Sequence, residues 1–203
     1  MRNDRLFAPL ERLTTWMAVA CGYACLGLCF LIGYEIVARR LLSHSVQGVD
    51  EIGGYVLAVT GAFGFSAALL NRMHTRIELG LHRLPVALQA LLNGTAAVLL
   101  AGFAIFMLSR VWDAWQESMS YGSRASTPLQ TPLWIPQGIW LAGVALFALV
   151  AAALALHSLW LLVRARHAEL NARYGPPTLQ EEVDKSLSEA EGQLEMSGEE
   201  RPS

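Results

Sequence analysis

Charge is what this sequence has least of. Asp, Glu, Lys and Arg together make up 16% of its 203 residues, against 54% apolar residues. A soluble domain is about one quarter charged, so the shortage argues against a water-soluble enzyme and for a membrane protein. Cysteine is scarce as well. Cys21, Cys25 and Cys29 are the whole supply, and all three fall in one apolar run. With no Cys-x-x-Cys pair facing water, a thiol oxidoreductase has nothing to work with. There is no glycine-rich phosphate loop and no Ser/His/Asp set in one plausible compartment. Histidine occurs inside a long apolar run once, at His157, and bis-histidine haem needs two such residues. Paired carboxylates in mid-run and an internal repeat are also missing. A self-sufficient secondary transporter usually shows repeats, broken helices and charged or unwound sites at the bilayer midplane.

What is present is apolar length. Leu13 to Val37 contains one charged residue, Glu35; Ile52 to Leu70, Val86 to Leu108 and Ile135 to Val163 contain none. Nineteen residues (52–70) rise roughly 28 Å as a helix, close to the ~30 Å hydrocarbon core of a bilayer. In lipid every backbone N–H and C=O must be bonded within its own segment, so such runs are helices. The pattern predicts an all-α integral membrane protein with four transmembrane helices, over about 13–38, 51–70, 86–111 and 135–163. Arg2, Arg5 and Arg12 precede the first run in the manner of a signal peptide. The run is longer than a typical signal core and has no clear small-residue cleavage site, so it is read as a retained helix.

The remaining charge is segregated. Residues 176–203 hold eight acids against Lys185 and Arg201, a net −6, which leaves +4 on residues 1–175. The expected organisation is a four-helix membrane domain over 1–174 and a disordered acidic tail over 175–203. Arginines near the helix ends set the orientation. With the N-terminus in the cytoplasm, that side receives Arg2, Arg5, Arg12, Arg72, Arg76, Arg83, Arg164, Arg166 and Arg173; the other receives Arg39, Arg40, Arg110 and Arg124. Nine against four places both termini inside. Glu35 lies four residues before Arg39, so a helical pair there offsets part of the outer charge. Trp112, Trp115 and Trp134 on one side, and Trp16 and Trp160 on the other, fall where interfacial aromatic belts form. The proline-rich stretch Tyr121 to Pro136 between the last two runs reads as a structured turn region.

Three constellations merit a chemical reading. The stretch Arg72 to Leu84 is expected to be a short interfacial helix between helices two and three. At helical spacing, Met73, Ile77, Leu81 and Leu84 form an apolar sector. Arg72, Arg76 and Arg83 form a basic stripe suited to lipid phosphates. His74, Glu78 and His82 share a third sector, but ligands on successive turns are too spread out for one ion, and no metal is expected. Cys21, Cys25, Cys29 and Gly33 recur every fourth residue, as do Gly54, Ala58, Ala62 and Ser66. Rows of small residues let helix backbones approach closely in lipid, and packing is the role expected of both. Asp50 and Glu51 open the second helix, where acids complement the helix dipole and free N–H groups. A contact with a basic partner surface is the alternative.

The order of these features resembles one family. An opening helix ends in "YEIVARRLL". Then comes "VDEIGGYVLAVTGAFGFSAALLNRMHTRIEL", with an acid at Glu51, glycines at Gly61 and Gly64, and then Arg72, His74 and Glu78. A proline-rich "STPLQTPLWIP" leads into the last helix. This is similar to the small membrane, DctQ-like subunit of tripartite ATP-independent periplasmic (TRAP) transporters. Members commonly have Asp where Glu78 stands here, one methylene shorter. The resemblance runs from about Leu10 to Arg166. It implies a multi-pass protein of the bacterial inner membrane that is an accessory subunit and not an enzyme. In such systems a periplasmic substrate-binding protein captures an organic acid, often a carboxylate. A large permease subunit holds the substrate and the coupling ion, usually sodium, and moves them across, driven by the ion gradient. The small subunit braces the large one. The resemblance implies no cofactor of the small subunit's own and no nucleic-acid partner; its partners are the permease, the binding protein and lipid. The alternative reading is a membrane anchor of a respiratory complex binding haem or quinone.

Overall fold

A computed structural model describes residues 8–42, 45–70 and 84–174, together with Leu187. Among these residues the fold is all helical. α1 spans Ala8–Leu42, α2 Val49–Leu70, α3 Val86–Ser120, α4 Trp134–Val163 and α5 His167–Tyr174. The first four are long and apolar enough to cross a membrane. The expected interfacial helix, with Arg72, His74, Arg76, Glu78, His82 and Arg83, falls on residues 71–83 and lies outside the described residues, as does nearly all of the acidic segment.

Two helices outrun their apolar stretches. α1 begins and ends several residues beyond the expected 13–38, and α3 continues from residue 111 to Ser120. At 1.5 Å per residue, 35 residues span about 52 Å, well over the thickness of the hydrocarbon core. Hydropathy reports the part of a helix that lipid covers, whereas the helix itself continues until the backbone is stopped. The polar extensions are compatible with helix and carry their own short-range pairs. Arg39 meets Glu35 at 3.5 Å, as the spacing predicts, and Arg110 meets Asp113 at 2.9 Å.

Specific stops end α3 and α4. After Ser120 the chain turns at Gly122, φ +60°. Ser123 N–H donates to Ser118 O at 3.0 Å and Gly122 N–H to Met119 O at 3.3 Å. This is the paired closure of a left-handed helix terminus. The same closure follows α4, where Arg166 N–H reaches Leu161 O and Ala165 N–H reaches Leu162 O, both at 3.0 Å. There the left-handed position, φ +53°, is held by Ala165. The reversal launches α5, a helix with no counterpart in the hydropathy pattern.

Packing runs in a row. α1 lies along α2, α2 along α4 and α4 along α3, with α5 against α3 and α4. The tightest seam is between α3 and α4, and alanine builds it. Ala90, Gly94, Ala97, Ala101, Ala104 and Val111 are buried on α3, and Val144, Ala148, Ala151, Ala155 and Ser158 on α4. Both sets step by alternating fours and threes, or by a full seven, a 3.5-residue period that favours a shallow left-handed crossing. Lipid tails compete equally for apolar side chains, so van der Waals fit holds such a seam, and small residues bring the backbones close. At Gly143 no side chain fits, since a β-carbon would lie 2.8 Å from Cβ of Ala62 and 3.3 Å from its backbone carbon; one on Gly94 would lie 2.4 Å from Cδ1 of Leu162 and would have to displace that side chain.

Candidate functional site

The helix hairpins α1–α2 and α3–α4 turn at the same end of the molecule, where their loops interlock. Gly48 opens α2 with φ +87°, and its carbonyl accepts the N–H of Ile52 at 3.0 Å. Leu129 of the proline-rich loop sits against Gly48. Its Cδ1 lies 2.2 Å from the place a β-carbon would take, so the position admits glycine for both its φ and its space. One turn on, Glu51 is 7% exposed. Its Oε1 accepts the hydroxyl of Tyr55 at 2.7 Å and its Oε2 accepts the hydroxyl of Thr127. The carboxylate is therefore committed across the loop. Among the described ion pairs none involves it.

The loop supplies side-chain hydroxyls for a local reason. Pro128 and Pro132 have no N–H to give. The loop's own backbone bonds close it on itself: Ala125 N–H to Thr131 O, Gln130 N–H to Thr127 O and Leu133 N–H to Ser123 O, each 3.0 Å. Trp115 fastens the base by donating its indole N–H to Trp134 O at 3.0 Å, while its ring stacks at a tilt on Trp112, 5.4 Å away. These are the tryptophans assigned to an interfacial belt. Trp112 and Trp134 remain exposed.

The two small-residue rows are placed unequally. Cys21 is buried; Cys25 is half-buried, with Sγ 3.5 Å from Thr60 Oγ1 on α2. Cys29 and Gly33 face outward, and nothing lies within 4 Å of a β-carbon built on Gly33. On α2, Ala62 and Ser66 are buried, whereas Gly54 and Ala58 are exposed. Gly61 and Gly64 also face outward, with open space where a side chain would be. α2 thus has one face committed to α4, another meeting α1 through Gly53 and Thr60, and a bare strip carrying Gly54, Ala58, Gly61 and Gly64.

The opposite end, where α3 begins and α4 finishes, holds a contact that sequence reasoning missed. Leu170 of α5 is fully buried against Ala90 and Leu161. Asn171 donates its amide to Val86 O at 2.9 Å and accepts from the Asn93 amide at 3.0 Å. Arg166 pairs with Glu169 at 2.6 Å. Arg164 lies 4.4 Å over the Trp160 ring, and His157 stacks on the same ring with centroids 5.9 Å apart and planes at 25°. A single leucine in a polar stretch gives no periodicity, and the positive-φ stop before it falls on Ala165, a residue that carries no turn signal in the sequence. The alanine seam was more accessible, since its 3.5-residue spacing can be counted in the sequence. Among the described residues there is no group of three His, Cys, Asp or Glu that could hold a metal ion.

Four membrane-length helices, interlocked loops at one end and a docked short helix at the other define a multi-pass helical membrane protein. The family model for the DctQ component of tripartite ATP-independent periplasmic transporters matches residues 28–161, about two thirds of the chain, and the chain belongs to that family. It is accordingly an inner-membrane component, and its family works within tripartite systems that also have a large permease and a substrate-binding protein. The family is a transporter component, not an enzyme family. No curated protein and no solved structure matches the chain.

Proposed function

We propose that this chain is the static brace of its transporter. The large permease subunit would carry an organic acid, most simply a carboxylate, together with a coupling ion such as sodium, and this chain would hold a fixed helical block beside the moving part. The observation that carries the reading is the bareness of α1. Only 6% of its most apolar window is buried inside the molecule, against 33% for α4. Tyr23, Phe30 and Tyr34 are each more than 60% exposed. A row of helices with one flank this open suits a body that leans on a partner in the bilayer. The exposed strip Gly54, Ala58, Gly61 and Gly64 suits close approach of a partner helix.

The orientation that accompanies this reading puts both termini in the cytoplasm, by the nine-to-four arginine count. The loop end is then periplasmic. Arg72, Arg76 and Arg83 would anchor the cytoplasmic hinge to lipid phosphates, and the family-motif residues Arg72, His74 and Glu78 would meet the large subunit there. Nothing in the structure favours the respiratory-anchor alternative. Affinity purification of the tagged chain from native membranes is expected to bring down a large hydrophobic partner. In liposomes the chain alone is expected to show no organic-acid uptake. Recovery without a partner, together with intact uptake in a strain lacking the chain, would sink the reading. Truncation after Gly175 is expected to leave uptake unchanged.

A further inference from the structure

We propose that Glu51 is a positioning residue: its carboxylate fastens the α3–α4 loop to the start of α2 and so sets the pose of the whole loop end. The bond to Thr127 joins residues 76 positions apart. The loop's internal bonds, including Arg124 Nη1 to Gln130 O at 3.5 Å, shape the loop but do not attach it to α2. Attachment comes from Thr127 on the carboxylate and from Leu129 in the space above Gly48. An apolar contact of that kind tolerates sliding, while a charge-assisted hydrogen bond to Oε2, with Oε1 already held by Tyr55 of α2, fixes a register. A buried carboxylate balanced by neutral hydroxyls is a poor way to gain stability alone, because desolvation opposes it. What it gives is a single arrangement, since any displaced loop leaves the charge unsatisfied. The substrate-binding protein must meet this end if the loop end is periplasmic, a consequence that rests on the accessory-subunit reading above. The clip then presents it with a preset surface.

The test uses the purified complex in detergent and reads tryptic cleavage at Arg124, which is exposed in the loop. Cutting requires local opening of the loop, so its rate reports the clip. Glu51→Gln and Thr127→Val are each expected to speed cleavage about tenfold. Thr127→Ser, which keeps the hydroxyl, is expected to cut at the parental rate. The double variant Glu51→Gln/Thr127→Val should be no faster than the faster single, because both remove one interaction. Parental rates in both singles, or effects that multiply in the double, would overturn the clip; if Glu51→Gln fails to assemble, the two Thr127 variants decide alone. In reconstituted uptake, Thr127→Val should raise the KM for the loaded binding protein several-fold at an unchanged maximal rate. A lowered maximal rate at constant KM would overturn the positioning role. Failure of the brace reading has a different signature, uptake that persists with the chain deleted, and leaves the cleavage result standing.

Discussion

α1 and α4 are both long apolar helices, and they sit in opposite circumstances. Three residues of α1 are buried, Thr14, Cys21 and Ala38. α4 buries eight, from Gly143 to Leu161, between α2 on one side and α3 on the other. Membership of the bilayer is therefore one property and membership of the core another. In lipid an apolar residue gains nothing by leaving the tails for a neighbouring helix unless the fit is better. α4 has that fit because its small residues fall in a 3.5-residue row opposite the matching row of α3. The large side chains of α1, Phe30 and Tyr23 among them, prevent such an approach on most of its surface and are left for lipid or for another subunit.

The largest effect that would sharpen this contrast is truncation of a packed side chain against truncation of a bare one. Leu161→Ala removes a fully buried side chain and is expected to destabilise the isolated chain by about 2–3 kcal/mol, mostly as lost packing. Phe30→Ala, at a position 72% exposed, is expected to change thermal stability in detergent by less than about 0.5 kcal/mol, yet to reduce recovery of the large subunit. Equal shifts of the unfolding midpoint in the two variants would break the comparison.

Glycine gives the next contrast. Gly143→Ala drives a β-carbon against Ala62, whose own Cβ and backbone carbon, at 2.8 and 3.3 Å, have no rotamer to yield. A loss of about 1–3 kcal/mol is expected. Gly33→Ala meets open space and should stabilise α1 by up to about 1 kcal/mol through helix propensity. Opposite signs in a thermal melt support the account, and a common sign refutes it. The smallest effect is at the end of α4. Ala165 holds φ +53°, a conformation that costs a residue with a β-carbon about 1–2 kcal/mol. Glycine relieves that but adds unfolded-state freedom. Ala165→Gly should therefore raise stability by about 0.5 kcal/mol, with slower hydrogen exchange at Leu170 as the local readout.

Much of the architecture was legible because it is governed by solvent. Four runs with one charged residue among them announce four helices whatever their neighbours do. The ends were less legible. Trp112 to Ser120 is too polar to count as part of the apolar run, yet it remains helical until Gly122 allows the left-handed turn. α5 was invisible since Leu170 and Asn171 matter only once Ala90, Val86 and Asn93 stand opposite. The small-residue rows on α1 and α2 could be counted, but which members touch a neighbour could not. Cys25 and Ala62 do; Gly33 and Gly54 are open. For Glu51 the sequence offered helix-dipole capping or a partner contact, and its carboxylate went to Tyr55 and to Thr127 of a distant loop.

Composition and hydropathy alone determined that the chain crosses a membrane as four helices, because a backbone in hydrocarbon can satisfy its polar groups only within its own segment. Tertiary structure decided which helix becomes core and which stays bare, and which hydroxyls donate to the Glu51 carboxylate. Those outcomes depend on fit between surfaces far apart in sequence, and no local pattern encodes a fit until both surfaces are in place.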